Sequence, residues 1–352
     1  MRTRLTGLVG CRVPVVQTGM GWVSTPELTS ATADAGGLGI LAGVTLTTQE
    51  LRRSIDIVRH ATAAPFGVNI RADAPDLDQR VEICLDGGVP VLSLIGAPTA
   101  ALVDRLHDAN TPVVVTVGAC RHAEKVVDRG VDAVIAQGRE GGGHTGAVPT
   151  SLLVPQVVEA VGDEVPVIAA GGFRDGAGLV AALAWGADGI AMGTRFLLTS
   201  DSGVPNAVKA EYLSAGVDDT VVSRAIDGAP QRVIRTPVVD RLERANLVTR
   251  LPTAARATLE FALRMRVGPV ALARTARSIR RDSGRPWSQV LLAANAPAMV
   301  RASLVEGRTN AGVLPTGQAV GLIDELPTVA DVIGSIEADA HRTLHALGRF
   351  LE

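Results

Sequence analysis

The chain has 352 residues with 34 Lys and Arg against 36 Asp and Glu, a formal net charge of −2; 47% of residues are hydrophobic, 20% are charged and 38 are glycine. That length calls for one large barrel with an appendage or for two domains, and the composition excludes a disordered chain. The near-neutral charge gives no reason to expect nucleic acid or an acidic membrane as partner.

Cys11, Cys84 and Cys120 are widely spaced and form no CxxC. They indicate neither a disulfide framework nor a zinc cluster, and they fit a reducing cytoplasm. Met1 to Gly10 contain no apolar core of a signal peptide, and the near-apolar run Leu179 to Met192 contains Asp188. No secretion signal and no membrane span are expected.

In chain order, eight short β-branched runs alternate with helical patterns up to Ser200: Val13 to Gln17, Leu38 to Leu41, Phe66 to Ile70, Val91 to Ile95, Pro112 to Val117, Ala133 to Ala136, Val165 to Ala169, and Gly189 to Met192. Repeated βα units of this kind predict a parallel sheet. Thr25-Pro26 reads as an N-cap with proline at the first helical position, and Thr47 to Glu50 as a capping box. Gly36-Gly37, Gly87-Gly88, Gly130 and Gly186 each follow a helical pattern and supply its stop. The first turn, Thr18 to Trp22, lacks GxGxxG, so a closed (β/α)8 barrel of the TIM type is preferred over a doubly wound open sheet.

Beyond Ser200 the pattern changes. Thr220 to Ile226 and Gln231 to Thr236 read as short strands, and Val238 to about Gly307 as helices without intervening strands. The amphipathic segment Pro327 to Leu351 is expected to return to the barrel. The predicted organisation is a barrel from residues 1–237 and 313–352 with a smaller, mainly helical lid domain at 238–312.

Two glycine turns carry the strongest chemical signal. Gly171-Gly172 follows the seventh run and Gly193-Thr194 the eighth, and in (β/α)8 enzymes a phosphate commonly sits between those loops because exposed backbone N–H groups converge there. The plainer alternative is a pair of ordinary tight turns. The loop Gln137 to Gly146 leaves the sixth run and carries His144, a candidate base or hydrogen-bond donor, although a lone loop histidine is also common at plain surface. Asn69 ends the third run, where its amide could serve a ligand or only start a turn. His341 and His345 are spaced i, i+4, but without a third ligand they read as a solvated face. Lysine occurs only at 125 and 209, away from strand ends, which argues against Schiff-base chemistry. Asp175 and Asp188 fall on helical segments or at their ends and make no metal cluster.

Together, Val16-Gln17-Thr18-Gly19-Met20, Ala35 to Gly39, Pro65 to Asn69, Gln137 to Gly146, Ala169 to Gly172, Met192 to Phe196 and Gly317 to Ile323 resemble the nitronate monooxygenase (2-nitropropane dioxygenase) family, which also includes flavin-dependent enoyl-thioester reductases. The resemblance implies an FMN-dependent oxidoreductase in which Met20, Gly21, Asn69, Gln137, Gly171, Gly172, Gly193 and Thr194 contact FMN and His144 faces the substrate. Two motifs depart from the family pattern: EGGGH stands at Glu140 to His144 where EAGGH is usual, and Thr18-Gly19-Met20 stands where GPM is usual. With VQTGMGWV, GVNIRAD, EGGGHTG and Trp287 to Leu291, the chain is most similar to an actinobacterial subgroup of steroid-degrading dehydrogenases that act on a bicyclic (methylhydrindanone) carboxyl-CoA thioester. That implies a CoA thioester as small-molecule partner, a cytoplasmic enzyme, and leaves a homo-oligomer open. The rival activities are oxidation of alkyl nitronates with O2 and NAD(P)H:quinone reduction, and a flavin or phosphate sensor without catalysis is a third class. Arg264, Arg266, Arg274, Arg277, Arg280 and Arg281 would form either a CoA-facing wall of the lid or a solvated basic helix face.

Overall fold

The computed structural model describes residues 1–244 and 287–350. Eight parallel strands close into a barrel in the order β1 (Val15–Gln17), β2 (Leu38–Ala42), β3 (Phe66–Arg71), β4 (Val91–Ile95), β5 (Val113–Val117), β6 (Ala133–Gln137), β8 (Val167–Ala170) and β9 (Gly189–Met192). The ring is shut by β1 against β9, with Val15 beside Ile190, Val16 beside Ala191 and Gln17 beside Met192. Every run expected from the sequence is present, with ends moved by a residue or two.

Strands buried on both faces need apolar side chains on both. Val16, Leu38, Ile40, Val91, Val114, Ile135, Ile168 and Ala191 form one buried cluster together with Leu5 and Val9 of the N-terminal helix Arg4–Val9. The alternate residues, such as Val15, Leu41, Val68, Leu92, Val115 and Val134, cluster with the surrounding helices. Asp188 lies between the helix Gly176–Ala184 and β9 and binds Arg4 at 2.7 Å, so it anchors the N-terminal helix to the barrel.

The expected helix signals hold. Thr25 caps Pro26–Asp34 and Thr47 forms a capping box on Thr48–Ala61. Of the glycine stops, Gly36, Gly88, Gly130 and Gly186 take positive φ. The C-terminal helix Val329–Gly348 returns to the barrel and lies against the helix Gly176–Ala184 so closely that a Cβ on Gly176 would meet the Ala340 nitrogen at 2.3 Å.

A second, antiparallel sheet stands beside the barrel. It joins β10 (Thr220–Ser223), β11 (Gln231–Ile234) and β7 (Gly143–His144), with β11 in the middle. Ile226, Val233, Val238, Val239, Ala296, Met299 and Val313 share a separate small core under it. Of the helical stretch expected after Val238, the helices Pro237–Arg244 and Trp287–Leu304 are described. The arginines from Arg264 to Arg281 lie outside the described residues.

Candidate active site

The candidate residues gather at the C-terminal ends of the barrel strands, the end that carries the chemistry in this architecture. Asn69 is buried within β3; its Nδ2 reaches the Ser93 carbonyl and Oγ, each at 3.3 Å, while its Oδ1 has no partner among the described residues. Gln17 closes β1, fully buried, and donates from Nε2 to Ser24 Oγ at 2.7 Å and to the Ile40 carbonyl at 3.2 Å; its Oε1 likewise has no partner among the described residues. Two orphaned acceptors at the barrel mouth are costly unless a donor reaches them, so they point to a bound group with N–H or O–H hydrogens.

The first loop, after β1, touches the last. A Cβ on Gly193 would lie 3.2 Å from Met20 Sδ, and one on Gly21 would meet Thr45 Cγ2 at 2.9 Å. Met20 itself is held by its N–H, which donates to Ser24 Oγ at 2.8 Å. Gly171 and Gly172 have φ of 101° and 88°, and a Cβ on Gly171 would meet Thr150 Oγ1 at 2.9 Å and the Gly138 carbonyl at 3.1 Å. Only glycine enters this conformation without strain, and here it also admits the β6 loop. Thr194 opens the one-turn helix Thr194–Leu197, and its Oγ1 accepts the Gly317 N–H at 2.8 Å. The motif Gly317 to Ile323 thus docks on the β9 loop, and the Gln318 N–H docks on the Glu140 carbonyl at 2.8 Å.

The β6 loop is pinned at several points. The Glu140 carboxylate accepts from Thr150 N–H at 2.9 Å and from Thr150 Oγ1 at 2.7 Å, which caps the helix Thr150–Val161 from outside. Arg232 of β11 donates to the Arg139 carbonyl at 3.2 and 3.1 Å and to Thr220 Oγ1 at 2.7 Å. Gln137 was expected to face FMN; its Nε2 donates to the His144 carbonyl at 2.8 Å. A Cβ on Gly141 would lie 2.7 Å from that same Nε2, and a Cβ on Gly19 would lie 2.4 Å from Asn69 Cβ. Each departure from the family pattern therefore includes a glycine, Gly141 or Gly19, that makes room for a site amide.

His144 sits in β7 opposite Gln231 of β11. Its Nε2 is 2.6 Å from Asp227 Oδ2, and Asp227 Oδ1 accepts the Ala229 N–H at 2.9 Å. Burial alone would raise the Asp227 carboxyl; the hydrogen bond and charge of His144, the Ala229 N–H and Gln231 outweigh it and hold the carboxyl below its ordinary value. Sequence reasoning missed Asp227, because Ile226-Asp227-Gly228-Ala229-Pro230 reads as a turn. It also missed Gln17, whose signal was a polar residue ending an apolar strand. His341 and His345 lie on the C-terminal helix, and no metal-binding group is found among the described residues.

Comparison with known proteins identifies the family. The nitronate monooxygenase family model matches residues 2–79 and 75–339. A Rhodococcus jostii protein named (3aS,4S,5R,7aS)-5-hydroxy-7a-methyl-1-oxo-octahydro-1H-indene-4-carboxyl-CoA dehydrogenase is 51% identical over 99% of this chain and 98% of its own. A Mycobacterium tuberculosis protein of the same name is 50% identical over 100% of this chain and 99% of its own. Among solved structures, FabK from Thermotoga maritima superposes with a TM-score of 0.81 at 33% identity, covering 99% of both chains. Barrel, glycine loops and the match over nearly the whole length give one conclusion: the chain is an oxidoreductase that belongs to the nitronate monooxygenase family.

Proposed function

We propose that the protein is an FMN-dependent dehydrogenase of a bicyclic (methylhydrindanone) carboxyl-CoA thioester, with His144 as its base. The observation that carries this reading is the full-length similarity to two dehydrogenases named for such a thioester, joined to a histidine held over the barrel mouth. In this reading Gly171, Gly172, Gly193 and Thr194 hold the FMN phosphate, while Met20, Gly21, Asn69 and Gln137 border the ring. The unpartnered Asn69 Oδ1 and the positive-φ glycines fit a planar group with N–H donors and a phosphate. A single phosphate pocket, with no GxGxxG in the first βα turn, favours FMN over FAD.

When bound, FMN would supply the two-electron redox chemistry at the carbon next to the acidic one. His144 accepts the proton from the carbon beside the thioester carbonyl. The C–H electron pair left there forms the new double bond as hydride departs from the neighbouring carbon, so atoms and charge balance. A positioned base of this kind contributes typically ~10²–10⁴-fold.

The test begins with the cofactor, released by heat and identified by mass. The holoenzyme is then mixed anaerobically with the CoA thioester, an alkyl nitronate or NADH. FMN and bleaching by the thioester alone are expected; FAD, or bleaching only by the nitronate, would overturn the reading.

A further inference from the structure

We propose that Asp227 is a positioning residue for proton transfer: it fixes the His144 imidazole in the tautomer that carries hydrogen on Nε2 and leaves Nδ1 as the basic nitrogen. This rests on the reading of His144 as base, but the tautomer is a separate claim.

The argument starts from hydrogen-bond inventory. An ionised carboxylate only accepts, so the 2.6 Å contact between Asp227 Oδ2 and His144 Nε2 requires the proton on Nε2. Gln231 Nε2 also lies 3.3 Å from His144 Nε2, but the carboxylate contact is far shorter and the Gln231 amide also supports the Asp227 carboxylate, so the ring N–H is assigned to Asp227; Nδ1 then keeps its lone pair and makes no hydrogen bond to a described residue. Burial and exposure divide the pair: Asp227 is 8% exposed and His144 64%, so the orienting group is fixed in protein while the base stays accessible. Asp227 is itself held. Its Oδ1 takes the Ala229 N–H, and Gln231, whose backbone faces His144 across the β7–β11 ladder, supports its charged form.

When His144 Nδ1 accepts the proton, the imidazolium bears hydrogens on both nitrogens, with Nε2–H still facing the carboxylate. Asp227 stays ionised throughout. The pair therefore supplies orientation before the transfer and countercharge after it.

The Ala229 N–H gives the experiment its discrimination. In Asp227→Asn the side-chain carbonyl must stay with that N–H, which turns the amide NH2 toward His144 Nε2. A donor at that place demands an acceptor on the ring, so the proton moves to Nδ1 and the base is lost. Asp227→Ala removes the constraint and leaves both tautomers open. The tautomer prediction therefore inverts the usual order: the near-isosteric Asn is worse than Ala.

The experiment uses the full-length holoenzyme labelled with 15N-histidine, with the His144 resonances assigned from His144→Gln. Expected are Nε2–H in the wild type, Nδ1–H in Asp227→Asn and a mixture in Asp227→Ala. Flavin reduction by the thioester should fall on the order of 10²-fold or more in Asp227→Asn and by less in Asp227→Ala. A structural post would give the opposite ranking, with Asn milder than Ala; that ranking, or one tautomer shared by all three proteins, overturns the proposal. If His144→Gln reduces flavin at the wild-type rate, the base reading fails and the catalytic consequence of Asp227 with it, while the spectra still decide the tautomer.

Discussion

Gly19 lies directly against Asn69: a Cβ at position 19 would stand 2.4 Å from Asn69 Cβ and 2.9 Å from its Cγ. The contact is with the stiff base of the side chain, so Asn69 cannot swing aside without leaving its Ser93 partners. Gly19→Ala should displace the amide proposed to face the cofactor, and lower flavin affinity by about 10-fold or more at a stability cost of roughly 1 to 3 kcal/mol. Flavin content after dialysis, read from absorbance, and a thermal melt check both parts. Unchanged flavin retention would remove Asn69 from the cofactor site.

A sharper contrast comes from two glycines of different surroundings. Gly171 has φ of 101° and its Cβ would meet Thr150 Oγ1 at 2.9 Å, whereas a Cβ on Gly203 would meet nothing within 4 Å. Gly171→Ala should purify without flavin and melt lower, since a non-glycine residue held there costs roughly 1 to 3 kcal/mol in backbone strain. Gly203→Ala should match the wild type in both respects. Flavin retained at full stoichiometry in Gly171→Ala would argue against a phosphate pocket at this turn.

The barrel could be read from the sequence because the βα units repeat similar local physics: an apolar run buried on both faces, and at several of them a capped helix or a glycine stop. Thr25, Thr47, Gly130 and Gly186 all do what their positions announced. The glycine turns and His144 were visible for the same reason, as short motifs at strand ends. What joins His144 to Asp227 was not visible. The strand β7 has two residues, too few to show a period, and its partner lies 83 positions away at Asp227 through the β11 pairing. Asp188 lies between a helix and β9, and its side chain binds Arg4 and accepts the Val167 N–H at 3.2 Å, a long-range arrangement that composition does not encode.

The thiols give a prediction in pH. Burial pushes Cys11 from 9.0 up to about 11 and Cys84 from 9.0 up to about 12. In the folded protein both stay protonated where the unfolded chain has begun to lose the proton. The native state then binds more protons than the unfolded state, so their stabilising contribution is complete below pH 9 and is lost as pH rises towards about 12. Denaturant midpoints should therefore fall with pH above about 9 and be level in this respect below it. At pH 8 a thiol reagent should modify Cys120, the half-buried one of the three, well before the buried Cys11 and Cys84. Three thiols reacting together in the native protein would contradict the burial.

The central claim is that His144 moves the proton beside a thioester carbonyl while the glycine loops merely hold the cofactor. Its most direct measure is the rate of flavin bleaching in anaerobic stopped flow, with the bicyclic CoA thioester mixed against wild type and His144→Ala at equal flavin content. The account predicts rapid bleaching by the wild type and a loss on the order of 10²-fold or more in the variant, with flavin binding unchanged. Equal rates in the two proteins, or no bleaching of either by the thioester, would contradict it.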